Sequence, residues 1–132
     1  QASQLIVAPA TEIVTKISID RWTVFVLMTH NYSYDLTVLK ELMHSATIYI
    51  GSLGPKTKLL RMFDDIHQAG ITITESQKDK IYGPVGLDIG AETSAEIALA
   101  IIAEIKAVLS DRPGVPLKFL TTKIHAENPI II

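Results

Sequence analysis

The chain contains no cysteine and few aromatic residues, and its basic residues are not in excess. Without cysteine, these 132 residues form no disulfide and offer no thiolate ligand to a metal. The 12 basic residues do not gather into a run and are balanced by 14 acidic ones, so nucleic acid is not an expected partner. No apolar stretch reaches the length of a membrane span and no leader-like segment opens the chain, so we expect a cytoplasmic protein without a membrane partner.

What the chain does contain is a regular alternation of apolar segments. Its length suits one domain, and 48% apolar residues are enough to fill a core. Hydrophobic patterning predicts strands at residues 4–8, 22–28 and 46–50, and helices at residues 9–18, 36–43, 55–70 and 93–109, with at most one helical turn in the mixed segment 71–80. This alternation is typical of an α/β fold with a parallel sheet, in which ligands bind beyond the carboxyl ends of the strands.

The last predicted helix is strongly apolar. Thr93 and Glu96 have the spacing of a capping box at its start. An isoleucine-rich stripe follows at steps of four, flanked by further apolar residues, and it consists of Ile97, Ile101, Ile105 and Leu109. This pattern predicts a helix that is buried on most sides, with the stripe in the core.

A glycine-rich loop precedes that helix. Three glycines fall within the eight residues 83–90, so the backbone there is free to adopt positive φ or to approach a ligand closely. One carboxylate, Asp88, lies within the loop. It either hydrogen-bonds a polar ligand or only locks the loop through contacts with the backbone.

Two further loops are predicted to lie at carboxyl ends of strands. Residues 51–54 read Gly-Ser-Leu-Gly between a strand and a helix, which resembles a phosphate-binding turn, although many α/β proteins need glycine at such a turn for its conformation alone. The basic residues in the first turns of that helix would add positive charge; they are Lys56, Lys58 and Arg61. In the other loop, His30 and Asp35 suit hydrogen bonding to a polar ligand or simple helix capping.

Neither a nucleophile elbow nor a cluster of metal-ligating residues is visible, so we assign no catalytic residue and no metal site. The segments that carry the loops nevertheless resemble a known family. They are Met28-Thr29-His30, Tyr34-Asp35-Leu36, Tyr49 to Gly54, Pro84 to Ala91, Glu96-Ile97-Ala98 and Ala103-Glu104-Ile105. In this order they look like the C-terminal Rossmann-like domain of the xanthine dehydrogenase accessory protein (XdhC/CoxI-type) family, from about Ala2 to Val108.

The resemblance implies a cofactor chaperone on a three-layer, mainly parallel Rossmann-like fold. Family members bind molybdenum cofactor, protect it during sulfuration and pass it to a molybdenum hydroxylase apoenzyme, working with a cysteine desulfurase. On this basis the glycines and the helix start would receive the pterin phosphate, and His30 and Asp88 would bond polar pterin edges. The expected cofactor contacts are Thr29, His30, Asp35, Gly51, Ser52, Gly54, Gly86, Asp88 and Gly90.

The chain also departs from the family pattern. The family's first strand and glycine-rich turn would lie upstream of Gln1, so we expect residues 1–110 to be a partial Rossmann-like domain and residues 111–132 a C-terminal tail. Pairing with a second copy across an exposed strand edge would complete the sheet and give a homo-oligomer. Two alternatives remain open: an NAD(P)-binding oxidoreductase, and a non-catalytic dimerisation or docking module in which Asp88 is purely structural.

Overall fold

The computed structural model describes residues 10–120. The strand predicted at residues 4–8 lies outside the described residues. Within residues 10–120, no helix is both long enough and apolar enough to cross a membrane.

Three short parallel strands form the sheet of the described residues. They are β1 (Phe25–Leu27), β2 (Ile50–Ser52) and β3 (Ile81–Tyr82), in the spatial order β1–β2–β3. The register pairs Phe25 with Ile50 and Ile50 with Ile81. β2 begins at Ile50, the last residue of the strand that was predicted at residues 46–50. β3 was not predicted, because a strand of two residues is too short to show a periodic pattern.

Among residues 10–120, four α-helices accompany the sheet, and several of their ends follow local sequence signals. Gly70, at φ +83°, follows the second helix as predicted. Thr93 and Glu96 form the predicted capping box, and Thr74 makes another with Gln77 at the single turn inside the mixed segment. The helices are α1 (Tyr32–Leu42), α2 (Lys56–Gln68), α3 (Glu75–Asp79) and α4 (Ser94–Leu109).

The helix predicted at residues 9–18 is wrong in the part that the structure describes. Only a 3₁₀ turn, Val14–Lys16, forms there. Three β-branched residues in a row, Ile13 to Thr15, disfavour an α-helix, and the Thr15 hydroxyl donates to the Glu12 carbonyl at 2.7 Å. The segment instead packs Ile13 and Val14 against the core.

The main core lies between the sheet and the pair α1 and α2. Ile50 of β2 contributes to it from the centre of the sheet, and Leu39 and Leu42 cover it from α1. The buried side of α2 is made by Leu59, Met62 and Ile66. Leu60, which was predicted on that side, is 53% exposed, and Met62 lies on the buried side in its place.

α4 lies on the opposite face of the sheet. Side chains alternate along a strand, so Tyr49 points away from Ile50, and its hydroxyl donates to Glu104 of α4 at 2.8 Å. This arrangement gives the predicted three layers, and the Rossmann-like α/β fold is confirmed.

The burial predicted for α4 is wrong. Only Ala100 and Ile101 are buried, whereas Leu99 and Ile102 are each 62% exposed. A narrow sheet meets one side of the helix, and nothing among residues 10–120 covers the other. The apolar residues on this side of α4 therefore form an exposed surface within the described part of the chain.

Candidate functional site

Three loops come together at the carboxyl edge of the sheet. The strands are parallel, so the loops after β1, β2 and β3 leave from the same side. Hydrogen bonds continue past the strand ends, from Leu53 N–H to the Leu27 carbonyl at 3.0 Å and from Val85 N–H to the Ser52 carbonyl at 3.3 Å. The predicted convergence of the three loops is confirmed.

The loop after β1 is held by its own polar side chains. The Thr29 hydroxyl donates to Asp35 Oδ1 at 2.7 Å and accepts from Asn31 N–H at 3.1 Å. Asn31 also caps α1 by accepting from Tyr34 N–H at 3.0 Å. His30 adopts a left-handed backbone at φ +59°, and its side chain is exposed at the edge.

Asp35 is fully buried, so it faces the protein and not the solvent. Its second oxygen, Oδ2, lies 3.4 Å from Lys58 Nζ, and the same ammonium donates to the Leu53 carbonyl at 3.2 Å. Asp35 thereby ties the loop after β1 to the first turns of α2.

The phosphate-like turn differs from the predicted one in its boundaries. Gly51 and Ser52 are buried strand residues, and a Cβ at Gly51 would lie 2.6 Å from Val85 Cγ2. Glycine is therefore needed at position 51 for the close packing of Val85. At Gly54, φ is +118° and the Lys58 side chain packs nearby, with Cδ 3.2 Å from an added Cβ.

The start of α2 is the positive part of the site. Its N-cap, Pro55, makes no side-chain cap, and its first turn contains no acid. The helix dipole and the exposed Lys56 both favour an anion there. Arg61 stands over the Tyr32 ring at 4.1 Å, one to two turns further along.

The glycine loop is fixed to α4 by backbone hydrogen bonds. Gly86 N–H donates to Glu104 Oε1 at 3.0 Å, and Leu87 N–H donates to the Ala100 carbonyl at 3.1 Å. Gly86 has φ +108°, and a Cβ there would lie 3.1 Å from Ala100 Cβ. Only glycine permits this close approach without strain.

Glu104 is a site residue that sequence reasoning did not find. Its carboxylate accepts from both Tyr49 and Gly86, and Tyr82 stacks on Tyr49 at 4.7 Å between ring centroids. Burial raises the pKa of Tyr49, and the hydrogen bond and negative charge of Glu104 raise it further. The sequence did contain one indication of this role. Glu104 lies within an apolar helix, where burial of a carboxylate without a hydrogen-bond partner would be costly.

A groove of about 430 Å³ lies between the glycine loop and α4. Its lining comprises residues 84–91 together with Ile97 and Ala100. Asp88 is exposed at this groove and hydrogen-bonds to none of residues 10–120. The contacts that lock the loop come from Glu104 and Ala100, so nothing in the described region supports the purely structural interpretation of Asp88.

The predicted contacts thus divide into two groups. Gly51, Ser52 and Asp35 are buried. The others lie on the three loops at the edge, and they are Thr29, His30, Gly54, Gly86, Asp88 and Gly90. Among residues 10–120, no group of three or more histidine, aspartate or glutamate side chains is arranged to hold a metal ion.

Comparison with known proteins gives the site its context. The model of the XdhC Rossmann domain family matches residues 2–105. A probable subunit of xanthine dehydrogenase from Bacillus subtilis is 32% identical over 105 residues, covering 80% of this chain and 29% of that relative. The molybdenum cofactor insertion chaperone PaoD of Escherichia coli is 31% identical over 91 residues, covering 68% of this chain and 28% of PaoD.

A solved structure shows the same fold. A crystal structure of a xanthine dehydrogenase from Bacillus halodurans superposes with a TM-score of 0.67 at 29% sequence identity, covering 84% of this chain and 30% of that one. The chain therefore spans less than a third of the length of these relatives.

Proposed function

The chain belongs to the XdhC Rossmann domain family, and from that premise we propose that it is an accessory domain for the maturation of a molybdenum hydroxylase. In this role it binds molybdenum cofactor as cargo and assists its sulfuration and its insertion into a xanthine dehydrogenase-type enzyme. The names of two relatives support this, a molybdenum cofactor insertion chaperone and a probable subunit of xanthine dehydrogenase.

The observation that carries the proposal is the convergence of three loops with different chemistry at one sheet edge. The cofactor is a pterin that carries a phosphate. The phosphate fits the uncapped start of α2, whose first turn contains no acid, next to the exposed Lys56; Lys58 is already paired with Asp35. The polar edge of the pterin fits the neighbouring loops, where His30 and Asp88 are exposed.

The residues present suit the organic part of the cofactor better than the metal. The chain has no cysteine, and no cluster of potential metal ligands occurs among residues 10–120. We infer that residues 10–120 hold the pterin and its phosphate and that the metal end is bound by groups outside them. The family resemblance implies that the terminal sulfur comes from a cysteine desulfurase, which is compatible with the absence of cysteine from these 132 residues.

An oligomer is a further part of the proposal. β1 and β3 are the outer strands of the described sheet, and an open strand edge is suited to pairing with a second copy. Light scattering of the purified chain measures the oligomeric state. A monomer at all concentrations would contradict this part alone.

Cofactor binding tests the main proposal. Molybdenum cofactor released from a purified molybdenum hydroxylase is incubated with the chain, which is then gel-filtered and analysed for bound molybdenum and pterin. We expect both to co-elute with the protein, and Lys56→Gln to weaken binding about 3- to 10-fold by removing a charge next to the phosphate.

Lys106→Gln is the matched control. It removes the same charge from near the C-terminal end of α4, about 18 Å along that helix from its start and on the opposite face of the sheet from α2. Equal losses in both variants would point to a general charge effect and against the phosphate position. Tight NADPH binding without cofactor binding would favour the oxidoreductase alternative.

A further inference from the structure

The groove beside the glycine loop is poorly suited to an anion. Three successive backbone N–H groups in its wall, those of residues 85–87, are already used by Ser52, Glu104 and Ala100. No basic side chain lines the groove. A phosphate placed there would meet no positive charge and would be repelled by the carboxylate of Asp88.

The nearby start of α4 is also occupied. Glu96 Oε1 accepts from the N–H groups of Glu92 and Thr93 at 2.9 and 3.1 Å. These hydrogen bonds lower the pKa of Glu96, so a negative charge is already held beside this helix terminus and would repel an anion there. The positive charge of the site therefore lies after β2, at the start of α2, and the negative charge lies after β3.

What the groove offers instead is an apolar floor and one side chain that accepts hydrogen bonds. Ile97 and Ala100 of α4 lie opposite the apolar side chains of the loop. Asp88 is exposed at the groove, and no hydrogen bond to another residue in the described part of the chain engages its carboxylate. A flat heterocycle with two adjacent N–H donors would satisfy both features, because a carboxylate accepts such a pair with both oxygens.

We infer that this groove recognises the 2-aminopyrimidin-4-one edge of a heterocycle, with Asp88 accepting hydrogen bonds from the ring N–H and the exocyclic amino group. The inference deepens the proposed function and rests on it for the natural ligand. Pterins and guanine share this edge. Asp88 is then the residue that selects the ring, while the start of α2 receives the phosphate.

Matched pairs of small ligands test the inference. Pterin and lumazine differ in that lumazine has an oxygen in place of the 2-amino group, and guanosine and inosine monophosphates differ in the presence of that amino group. Binding of each to the purified 132-residue chain is measured by fluorescence titration or calorimetry. We expect pterin to bind at least about 10-fold more tightly than lumazine, because a hydrogen bond to a charged group changes affinity by about this factor or more.

Asp88→Asn should remove most of this preference, because an amide offers one acceptor where the carboxylate offers two. Glu92→Gln is the control, since it removes the same charge from an exposed residue at the end of the same loop. Equal affinity for pterin and lumazine in the wild-type chain, or an unchanged preference in Asp88→Asn, would overturn the inference.

The experiment separates this inference from the proposed function. Binding of molybdenum cofactor without any preference for pterin over lumazine would overturn the inference alone. An Asp88-dependent preference without binding of molybdenum cofactor would support the inference and contradict the proposed function. A stronger preference for guanosine over inosine monophosphate than for pterin over lumazine would support the inference with a guanine nucleotide as the source.

Discussion

Glu104→Ala is the substitution that tests most directly how the glycine loop is held. Glu104 joins three parts of the molecule, because one carboxylate oxygen accepts from the hydroxyl of Tyr49 at 2.8 Å and from Gly86 N–H at 3.0 Å. Its removal leaves both donors without this partner. The effect should therefore reach the sheet and the loop together.

The expected cost follows from the burial of the two donors. Tyr49 is fully buried, and an unsatisfied buried donor costs about 1–3 kcal/mol. Gly86 is half-buried, so water can partly replace its lost partner and its share is near the lower end of that range. The sum is roughly 2–4 kcal/mol, which for a chain of this size lowers Tm by about 10 °C.

Urea and thermal unfolding measure this loss, and amide hydrogen exchange at Gly86 measures the release of the loop. Glu92→Ala is the control, since it removes an exposed carboxylate and should change stability by less than about 0.5 kcal/mol. A double-mutant cycle with Tyr49→Phe should give a coupling of about 1–2 kcal/mol. A loss below about 0.5 kcal/mol in Glu104→Ala, with additive effects in the cycle, would refute the reasoning.

Three further predictions concern packing and pH. Gly51→Ala should destabilise the chain by about 1–3 kcal/mol in urea unfolding, because the new Cβ would lie 2.6 Å from Val85. Ile101→Ala should cost about 2–4 kcal/mol and Leu99→Ala under about 1 kcal/mol, because only the first is buried; similar losses would contradict the packing of α4. Burial and a hydrogen bond raise the pKa of Tyr32 to about 12. The stability that this raised pKa contributes is fully present below about pH 10, the pKa of Tyr32 in the unfolded chain, and it is lost as the pH rises toward 12. In urea unfolding, Tyr32→Phe should therefore lose less stability at alkaline pH than the wild-type chain does.

The parts of the fold that could be predicted were those with local causes. Thr93 and Glu96 predicted the start of α4 because a capping box is formed within four residues. Gly70 predicted the end of α2 because a left-handed residue at that position favours glycine. The helix predicted at residues 9–18 failed where β-branched residues outweighed the apolar spacing.

The candidate site was predictable in its position but not in its connections. Alternating strands and helices placed the loops carrying His30, Gly54 and Asp88 at one edge, because parallel strands all end on the same side. The burial of Asp35 against Lys58 depends on residues 23 positions apart. No local pattern indicates whether such a side chain faces a ligand or another part of the chain.

Periodicity and the properties of neighbouring residues were enough to predict the α/β class, the capped start of α4 and the glycine loop. The folded structure was needed to show that Gly51 is required for packing against Val85 and that Glu104 holds the loop. It also decided that Asp88 faces a groove without a partner among residues 10–120. These outcomes depend on which distant side chains meet, and contacts across the sheet leave no periodic signal in the sequence.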